Sequence, residues 1–362
     1  MKLLTVIGAR PQFIKAAVLS RYLRDNKCGI EEILVHTGQH YDANMSEVFF
    51  QEMDIPKPQF NLHLGTGSHG KMTGAMLSGI EELLLEHKPD AVLVYGDTNS
   101  TLAGALAASK LHIPVCHIEA GLRSYMMAMP EEQNRRLTDH LSTWLMCPTK
   151  TAVDNLIKEG IKDSGLAAPT ADNKGVYITG DIMYEASMYY RKKNTAKIMP
   201  QLDRVPFVLL TIHRAENTDN LERLSAIVEA INKCKDKTFV FPVHPRTRKI
   251  LKKLSFSFES HVKTIDPIGY FEMLAYEQSC DFILTDSGGV QKEAFFFEKP
   301  CITMRDSTEW VELVESGWNT LVGADTDRII DAINTIKKPE SYPPLYGDGK
   351  CAEKIVSILC GY

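Results

Sequence analysis

The chain has no apolar run approaching the ~20 residues of a membrane-crossing helix. The apolar-leaning run inside Met1-Lys-Leu-Leu-Thr-Val-Ile-Gly is too short for a signal-peptide core. A surplus of one charge is missing too: 41 Lys and Arg stand against 46 Asp and Glu, a formal net charge of −5. No bulk attraction to nucleic acid or an anionic lipid surface is therefore built in, and any bound anion has to be held locally. Cys-x-x-Cys pairs are absent. The eight cysteines (28, 116, 147, 234, 280, 301, 351 and 360) are scattered, several inside apolar runs, which reads as buried reduced thiols in a cytoplasmic protein. Short-period repeats and low-complexity tracts are lacking. There is no Gly-x-Gly-x-x-Gly fingerprint with an acidic ribose partner, so a nicotinamide cofactor is not supported. No His-x-x-x-His or His-Glu-x-x-His spacing falls on a predicted helix, so His36, His40, His117 and His244 give no metal motif. The expectation is a protein without cofactor or metal, binding neither nucleic acid nor membrane.

What the sequence does contain is a strand–turn–helix rhythm. Short β-rich runs at Leu3–Ile7, Glu32–Val35, Ala91–Tyr95, Val115–Ile118 and Leu145–Cys147 alternate with helical patterns at Ile14–Leu23, Lys71–Glu86, Ser100–Leu111 and Thr151–Glu159. A second set has strands at Phe207–Thr211, Thr238–Phe241, His261–Ile265, Asp281–Thr285 and Cys301–Met304, with helices at Leu221–Cys234, Tyr270–Glu277 and Val290–Phe297. The rhythm predicts an α/β protein of two similar halves, each a parallel sheet with crossover helices, and 362 residues suit about two domains. Asp163–Lys174 reads as a surface loop and the polar run Arg191–Pro206 as the connection between halves, with the boundary near 183–205.

Ligands of open α/β sheets bind beyond the carboxyl ends of the strands, and there this chain is rich in Gly, His, Arg and carboxylates. In Thr285-Asp-Ser-Gly-Gly-Val-Gln-Lys-Glu-Ala, a strand runs into a helix, and Ser287, Gly288 and Gly289 can turn their N–H groups on a phosphate with no Cβ in the way. A plain serine N-cap with a tight turn is the alternative. Glu293, further along that helix, reaches ribose hydroxyls or is a solvated carboxylate. In Gly8-Ala-Arg-Pro-Gln, Pro11 suits a first helical turn, and Arg10 is a diphosphate clamp or a surface cation. Asp97, Glu119 and Glu131 (in Pro130-Glu-Glu-Gln-Asn-Arg-Arg) and His213 lie after proposed strands or at a helix start. Each alone is a weak signal; together with a phosphate cradle they make a site for acid–base chemistry on a phosphorylated ligand. Arg135 with Arg136, and Arg246 with Arg248, read as anion contacts or solvated charges, and Met126, Met127 and Met129 as a packing strip.

In combination and order, Gly8-Ala-Arg-Pro-Gln-Phe-Ile-Lys, Gly96-Asp-Thr, His117-Ile-Glu-Ala-Gly-Leu-Arg, Pro130-Glu-Glu-Gln-Asn-Arg, Thr211-Ile-His-Arg-Ala-Glu-Asn, His244-Pro and Asp286-Ser-Gly-Gly-Val-Gln-Lys-Glu resemble the bacterial non-hydrolysing UDP-N-acetylglucosamine 2-epimerases along nearly the whole chain. The resemblance implies a glycosyltransferase-B-like architecture. Two Rossmann-like domains would face a central cleft, the first formed by residues 1–183 with a returning helix in 350–362, the second, UDP-binding, by 184–349. It implies that Arg10, Ser287, Gly288 and Gly289 hold the diphosphate, Glu293 the ribose, and that Tyr270 stacks near the uracil. Asp97, Glu119, Glu131 and His213 match the positions used for catalysis. The implied reaction removes the proton from sugar carbon 2 as UDP leaves carbon 1, then re-adds UDP to the glycal with protonation from the opposite face. A cytoplasmic homodimer making a precursor of surface polysaccharide is also implied. Thr37-Gly-Gln-His-Tyr-Asp departs from members with a second, regulatory UDP-sugar site, which tend to have Ala-Gln-His-Arg there. Ser124-Tyr-Met-Met-Ala-Met, Ala9 and Gln12 are similar to relatives that epimerise UDP-2,3-diacetamido-uronic acids.

Overall fold

The computed structural model describes residues 1–38, 54–55, 57–64, 67–198 and 206–361, without the side chains of 192–198. His40 and most of the segment 37–42 lie outside the described residues, as do 199–205 of the expected connection. By internal contacts the chain divides into two units, Met1–Ala186 with Leu345–Tyr362, and Ser187–Pro344.

In the first unit the strands are β1 Lys2–Ile7, β2 Glu31–His36, β3 Phe60–Asn61, β4 Ala91–Tyr95, β5 Val115–Ile118, β6 Trp144–Cys147 and β7 Gly175–Ile178, in the order β3-β2-β1-β4-β5-β6-β7. All described pairings are parallel. The central strands are buried along their whole length, which is why Ala91–Tyr95 and Val115–Ile118 read as unbroken β-rich runs. Helices His69–His87 and Asn99–Lys110 cover one face, packing Met76, Ile80, Ala103 and Ala107 on Leu4, Val6, Val92 and Val94. Gly104 lets the second helix approach: a Cβ there would stand 3.1 Å from Val94 Cγ1 and 3.2 Å from Val6 Cγ2. The helix Cys351–Cys360 belongs to this unit and buries Ile355, Val356 and Leu359.

The second unit has β8 Val208–Thr211, β9 Phe239–Pro242, β10 Val262–Ile265, β11 Phe282–Thr285, β12 Cys301–Thr303 and β13 Asn319–Leu321, ordered β10-β9-β8-β11-β12-β13 and again parallel. Leu224, Ile227 and Ile231 of the helix Leu221–Lys233, with Ile329 and Ile333 of Thr326–Thr335, cover Leu210, Phe241 and Leu284. Val290 and Ala294 pack on Leu209 and Ile283 from the other side.

Three strands escape the periodicity argument. β3, β7 and β13 are two to four residues long and lie at sheet edges, too short for an alternation pattern to stand out. One expectation is corrected: Arg191–Pro206 is not all connection, because the helix Ile182–Ile198 runs through its first half. Lys192, Lys193 and Lys197 raise polarity without lowering helix propensity. The helix Arg10–Asn26 starts one turn before the expected Ile14, since Pro11 occupies its first turn. The stretch expected as a loop at Asp163–Lys174 carries no helix or strand.

Candidate active site

In the first unit, register brings the carboxyl ends of β1, β4 and β5 level: Val6 pairs with Val94 and Tyr95 with Ile118, so Gly8, Gly96 and Glu119 follow in line. The loop after β1 is pinned by Gln12, whose Oε1 accepts from Gly8 N (2.8 Å) and Ala9 N (3.0 Å) while its Nε2 donates to Tyr95 O and to Thr101 Oγ1, both at 2.9 Å. Gly8 has no alternative here, since a Cβ would collide with the hydroxyls of Ser100 and Thr37. Arg10, half-buried, opens the helix from this loop.

Glu119 sits at φ 72°, left-handed backbone that a glutamate enters only at a cost of about 1–3 kcal/mol. Its carboxylate pairs with Lys15, both side chains being nine-tenths buried or nearly so. The carboxylate lies against the neighbouring turn, where a Cβ on Gly96 (φ 61°) would lie 3.1 Å from Glu119 Oε2. Asp97 follows directly, paired with Arg135, and its backbone carbonyl accepts from Asn134 Nδ2 at 3.0 Å. Glu119 and Lys15 therefore lie against the Gly96 turn that Asp97 follows. Beneath it His117 is completely buried, Nε2 donating to Gly96 O (2.8 Å) and Nδ1 2.7 Å from Asp139 Oδ1. Burial works to raise Asp139, but the hydrogen bonds and charges of His117 and Arg123 outweigh it and hold the carboxyl below its ordinary value.

Glu131 is exposed on the first turn of the helix Pro130–Leu141, which also carries Asn134 and Arg135. Its neighbour Glu132 is buried and clamps the preceding loop, accepting from Ser124 N (2.8 Å), Ser124 Oγ (3.0 Å) and Tyr125 N (3.3 Å). Two readings are corrected here. Arg135 is not a solvated charge, for it is buried between Asp97 and Glu132. Met126 and Met127 are exposed rather than packed, because Glu132 and Gln133 hold the loop by its backbone and leave the side chains outside. Arg136 pairs with Glu159, Arg246 with Asp219 and Arg248 with Asp266.

In the second unit the ends of β8 and β11 meet through Asp286. This fully buried carboxylate accepts from His213 N (3.1 Å), Arg214 N (3.0 Å) and Asn217 Nδ2 (3.2 Å), and His213 Nδ1 lies 3.5 Å from it. Partial burial, helped by Arg214 and His244 and opposed by Asp286, lowers His213 below the ordinary imidazole value and favours the neutral ring. Ser287 is the N-cap of the helix Gly288–Phe296, yet its hydroxyl makes no cap hydrogen bond. A Cβ on Gly288 would lie 3.3 Å from Arg214 Nη2 and 3.8 Å from Arg305 Nη1, whereas one on Gly289 would meet nothing within 4 Å. The Arg214 guanidinium thus borders the helix start, beside a buried Arg305–Glu309 ion pair whose Glu309 Oε2 would lie 3.9 Å from the Cβ on Gly288. Trp310 Nε1 donates to Gly288 O at 3.0 Å and fixes that first peptide. Glu293 is buried on the same helix, and Tyr270 is buried with its ring edge-on to Tyr190 at 6.1 Å.

The structure thus places Glu119 against the turn that leads into Asp97, and His213 next to Ser287, Gly288 and Gly289 through Asp286. Residues that build these groups without having been given a role of their own in the sequence reading are Lys15, a lone cation among Phe13, Ile14, Ala16, Ala17 and Val18, and also Arg214, Asp286 and Arg305. Among the described residues no three or more His, Cys, Asp or Glu side chains are gathered as for a metal ion, and no helix is long and apolar enough to cross a membrane.

The family model described as UDP-N-acetylglucosamine 2-epimerase matches residues 22–360. The chain belongs to this family. Like other UDP-N-acetylglucosamine 2-epimerase family members it is an isomerase of the kind that acts on carbohydrates. Over 99% of both chains it is 51% identical to the UDP-2,3-diacetamido-2,3-dideoxy-D-glucuronate 2-epimerase of Pseudomonas aeruginosa. The crystal structure of Methanocaldococcus jannaschii UDP-GlcNAc 2-epimerase in complex with UDP-GlcNAc and UDP is similar at TM-score 0.87 and 44% identity, over 99% of both chains. That of Neisseria meningitidis UDP-GlcNAc 2-epimerase bound to UDP-GlcNAc has TM-score 0.87 and 33% identity over 100% of both. The expected α/β class with two Rossmann-like, glycosyltransferase-B-like units is that of these neighbours.

Proposed function

We propose that this chain epimerises a UDP-2-acetamido sugar at carbon 2 by elimination and re-addition of UDP. The observation that carries the reading is Glu119, a carboxylate held in strained backbone by Lys15 against the Gly96–Asp97 turn. Stored strain at a buried acid suits a group that must be aimed at one C–H bond. In the proposed reaction a base takes the carbon 2 proton, the C–H electrons form the carbon 1–carbon 2 double bond, and the carbon 1–oxygen bond breaks toward UDP. The glycal is then protonated at carbon 2 from the other face while a UDP oxygen attacks carbon 1. Two faces need two proton-transfer groups, and Asp97, Glu119, Glu131 and His213 are the candidates. Arg10, with Ser287, Gly288 and Gly289, would take the charge that gathers on departing UDP, and the Arg214 guanidinium beside Gly288 supports that role. Glu293 would hold the ribose and Tyr270 flank the uracil.

UDP-N-acetylglucosamine, converted to UDP-N-acetylmannosamine, is the first substrate reading. The 51% identity to the Pseudomonas aeruginosa enzyme favours a second, a UDP-2,3-diacetamido-2,3-dideoxy-uronic acid. Both readings keep the protein as a cytoplasmic homodimer that supplies a surface-polysaccharide precursor, on the strength of the shared motifs. A panel of the two UDP-sugars, followed by the NMR signal of the anomeric proton, decides between them. Turnover of one with a new anomeric signal and no free sugar is the expected result; hydrolysis to free sugar and UDP, or inertness toward both, contradicts the proposal.

A further inference from the structure

His117, one residue before the end of β5, forms no metal motif by its spacing, yet it is wholly buried with a partner at each ring nitrogen. Nε2 lies 2.8 Å from Gly96 O, a carbonyl oxygen that can only accept, so Nε2 carries a hydrogen. Nδ1 lies 2.7 Å from Oδ1 of Asp139, whose other oxygen accepts from Arg123 Nη1 (2.7 Å) and Gly121 N (3.2 Å). Whichever atom holds the proton between Nδ1 and Oδ1, Nε2 keeps its own. A turned ring would leave buried polar groups unpaired, so Asp139 holds the imidazole on Gly96.

Gly96 is where such a hold matters. Glycine is the least restricted joint of a chain, and this one, at φ 61°, directly precedes Asp97. Its N–H donates to Ile118 O at 3.0 Å while its carbonyl accepts from His117, so two consecutive residues of β5 fix the peptide planes on both sides of it. The second of these planes leads into Asp97, whose own carbonyl accepts from Asn134 and whose carboxylate pairs with Arg135. Asn134, Arg135 and Asp139 all stand on the helix Pro130–Leu141, the one that carries Glu131 on its first turn. We propose that His117 is a positioning residue for the carbon 2 chemistry: its Nε2–H, aimed by Asp139, locks the Gly96–Asp97 peptide and so fixes the place from which Asp97 acts. The inference rests on the reading given under Proposed function, in which Asp97 is a proton-transfer group.

Two variants separate the two ring nitrogens. In His117→Gln the amide nitrogen reaches the place of Nε2 and still donates to Gly96 O, whereas in His117→Asn it reaches only that of Nδ1. Turnover is measured on the UDP-2-acetamido sugar that the wild type accepts, UDP binding by calorimetry and folding by urea unfolding. His117→Gln should keep kcat within about threefold of the wild type, and His117→Asn should lose at least about tenfold, as a reacting group misplaced by a fraction of an ångström does, with KM and the Kd of UDP unchanged. Asp97→Asn, measured alongside, should lose at least as much as His117→Asn. A merely structural histidine costs stability in both His117 variants and leaves their kcat values alike once the folded fraction is counted. Equal kcat in the two, a loss in His117→Asn carried by KM, or wild-type kcat in Asp97→Asn therefore overturns the role of His117. If His117→Asn does not fold, His117→Gln still decides: folded and slowed about tenfold it overturns the proposal, and at near wild-type kcat it upholds it. A wild type inert toward every UDP-2-acetamido sugar removes the functional reading itself.

Discussion

His213 and Asp286 show how little room the residue-scale chemistry leaves. Asp286 is saturated by donors from His213, Arg214 and Asn217, so it fixes the backbone under the imidazole and opposes, without overcoming, the lowering of His213. Burial, with Arg214 and His244, keeps a neutral ring available as a proton acceptor. Its folded value lies below the ordinary 6.5, so the neutral form persists as pH falls until that lowered value is passed. The acid limb of kcat/KM assigned to this group should accordingly lie below about pH 6.5 and disappear from the profile of His213→Asn; a limb in the wild type centred above 6.5 and lost in that variant would show a raised imidazole. Glu119 is the other residue whose backbone matters as much as its side chain. Its place after β5 was legible from the sequence, but its positive φ was not, because glutamate carries no signature of left-handed backbone. Lys15 was hidden for a related reason: a cation on a buried helix face is recognised only when its partner, 104 residues away, is known.

At the scale of elements, the start of the helix Gly288–Phe296 separates structural cost from function. Glycine early in a helix is entropically unfavourable relative to alanine by roughly 0.5–1 kcal/mol. A Cβ at Gly289 would touch nothing, so the fold alone would prefer alanine. Gly289→Ala should therefore raise stability in urea by up to about 1 kcal/mol and weaken UDP binding, because the methyl group enters the space a phosphate would occupy. Unchanged UDP affinity would reduce the Gly-Gly pair to a turn. Strand–turn–helix units such as β1 with Arg10–Asn26 and β11 with Gly288–Phe296 were legible because parallel strands are apolar throughout and turn residues punctuate them. Edge strands β7 and β13 were not, since they are defined by pairing to β6 and β12 more than by their own pattern.

At the scale of the whole molecule, the first unit is discontinuous: the chain leaves it at Ala186 and returns at Leu345. The returning segment buries Tyr346, Cys351, Ala352, Ile355, Val356 and Leu359, donates Ala352 N–H to Glu185 Oε2, and so completes that unit's core. At about 1.5–3 kcal/mol for each large apolar side chain, its removal approaches the whole stability of a domain, about 5–15 kcal/mol. A chain ending at Pro344 should lose protection of β1 and β4 amides from hydrogen exchange while β8 and β11 stay protected; equal protection with and without the segment would show that it is dispensable. Periodicity alone placed a division of the chain near its middle, and only family resemblance pointed to the return of the C-terminal helix, because membership of a core is a property of contacts and not of local pattern.

Chemistry at carbon 2 is the central claim, and it has a direct measurement. Incubation with the accepted UDP-2-acetamido sugar in deuterated water should place deuterium at carbon 2 of both epimers, with the UDP bond intact in the recovered pool, and Glu119→Gln should slow this exchange by at least about a hundredfold. Epimers that form without deuterium at carbon 2, or no exchange with any UDP-2-acetamido sugar, would contradict it.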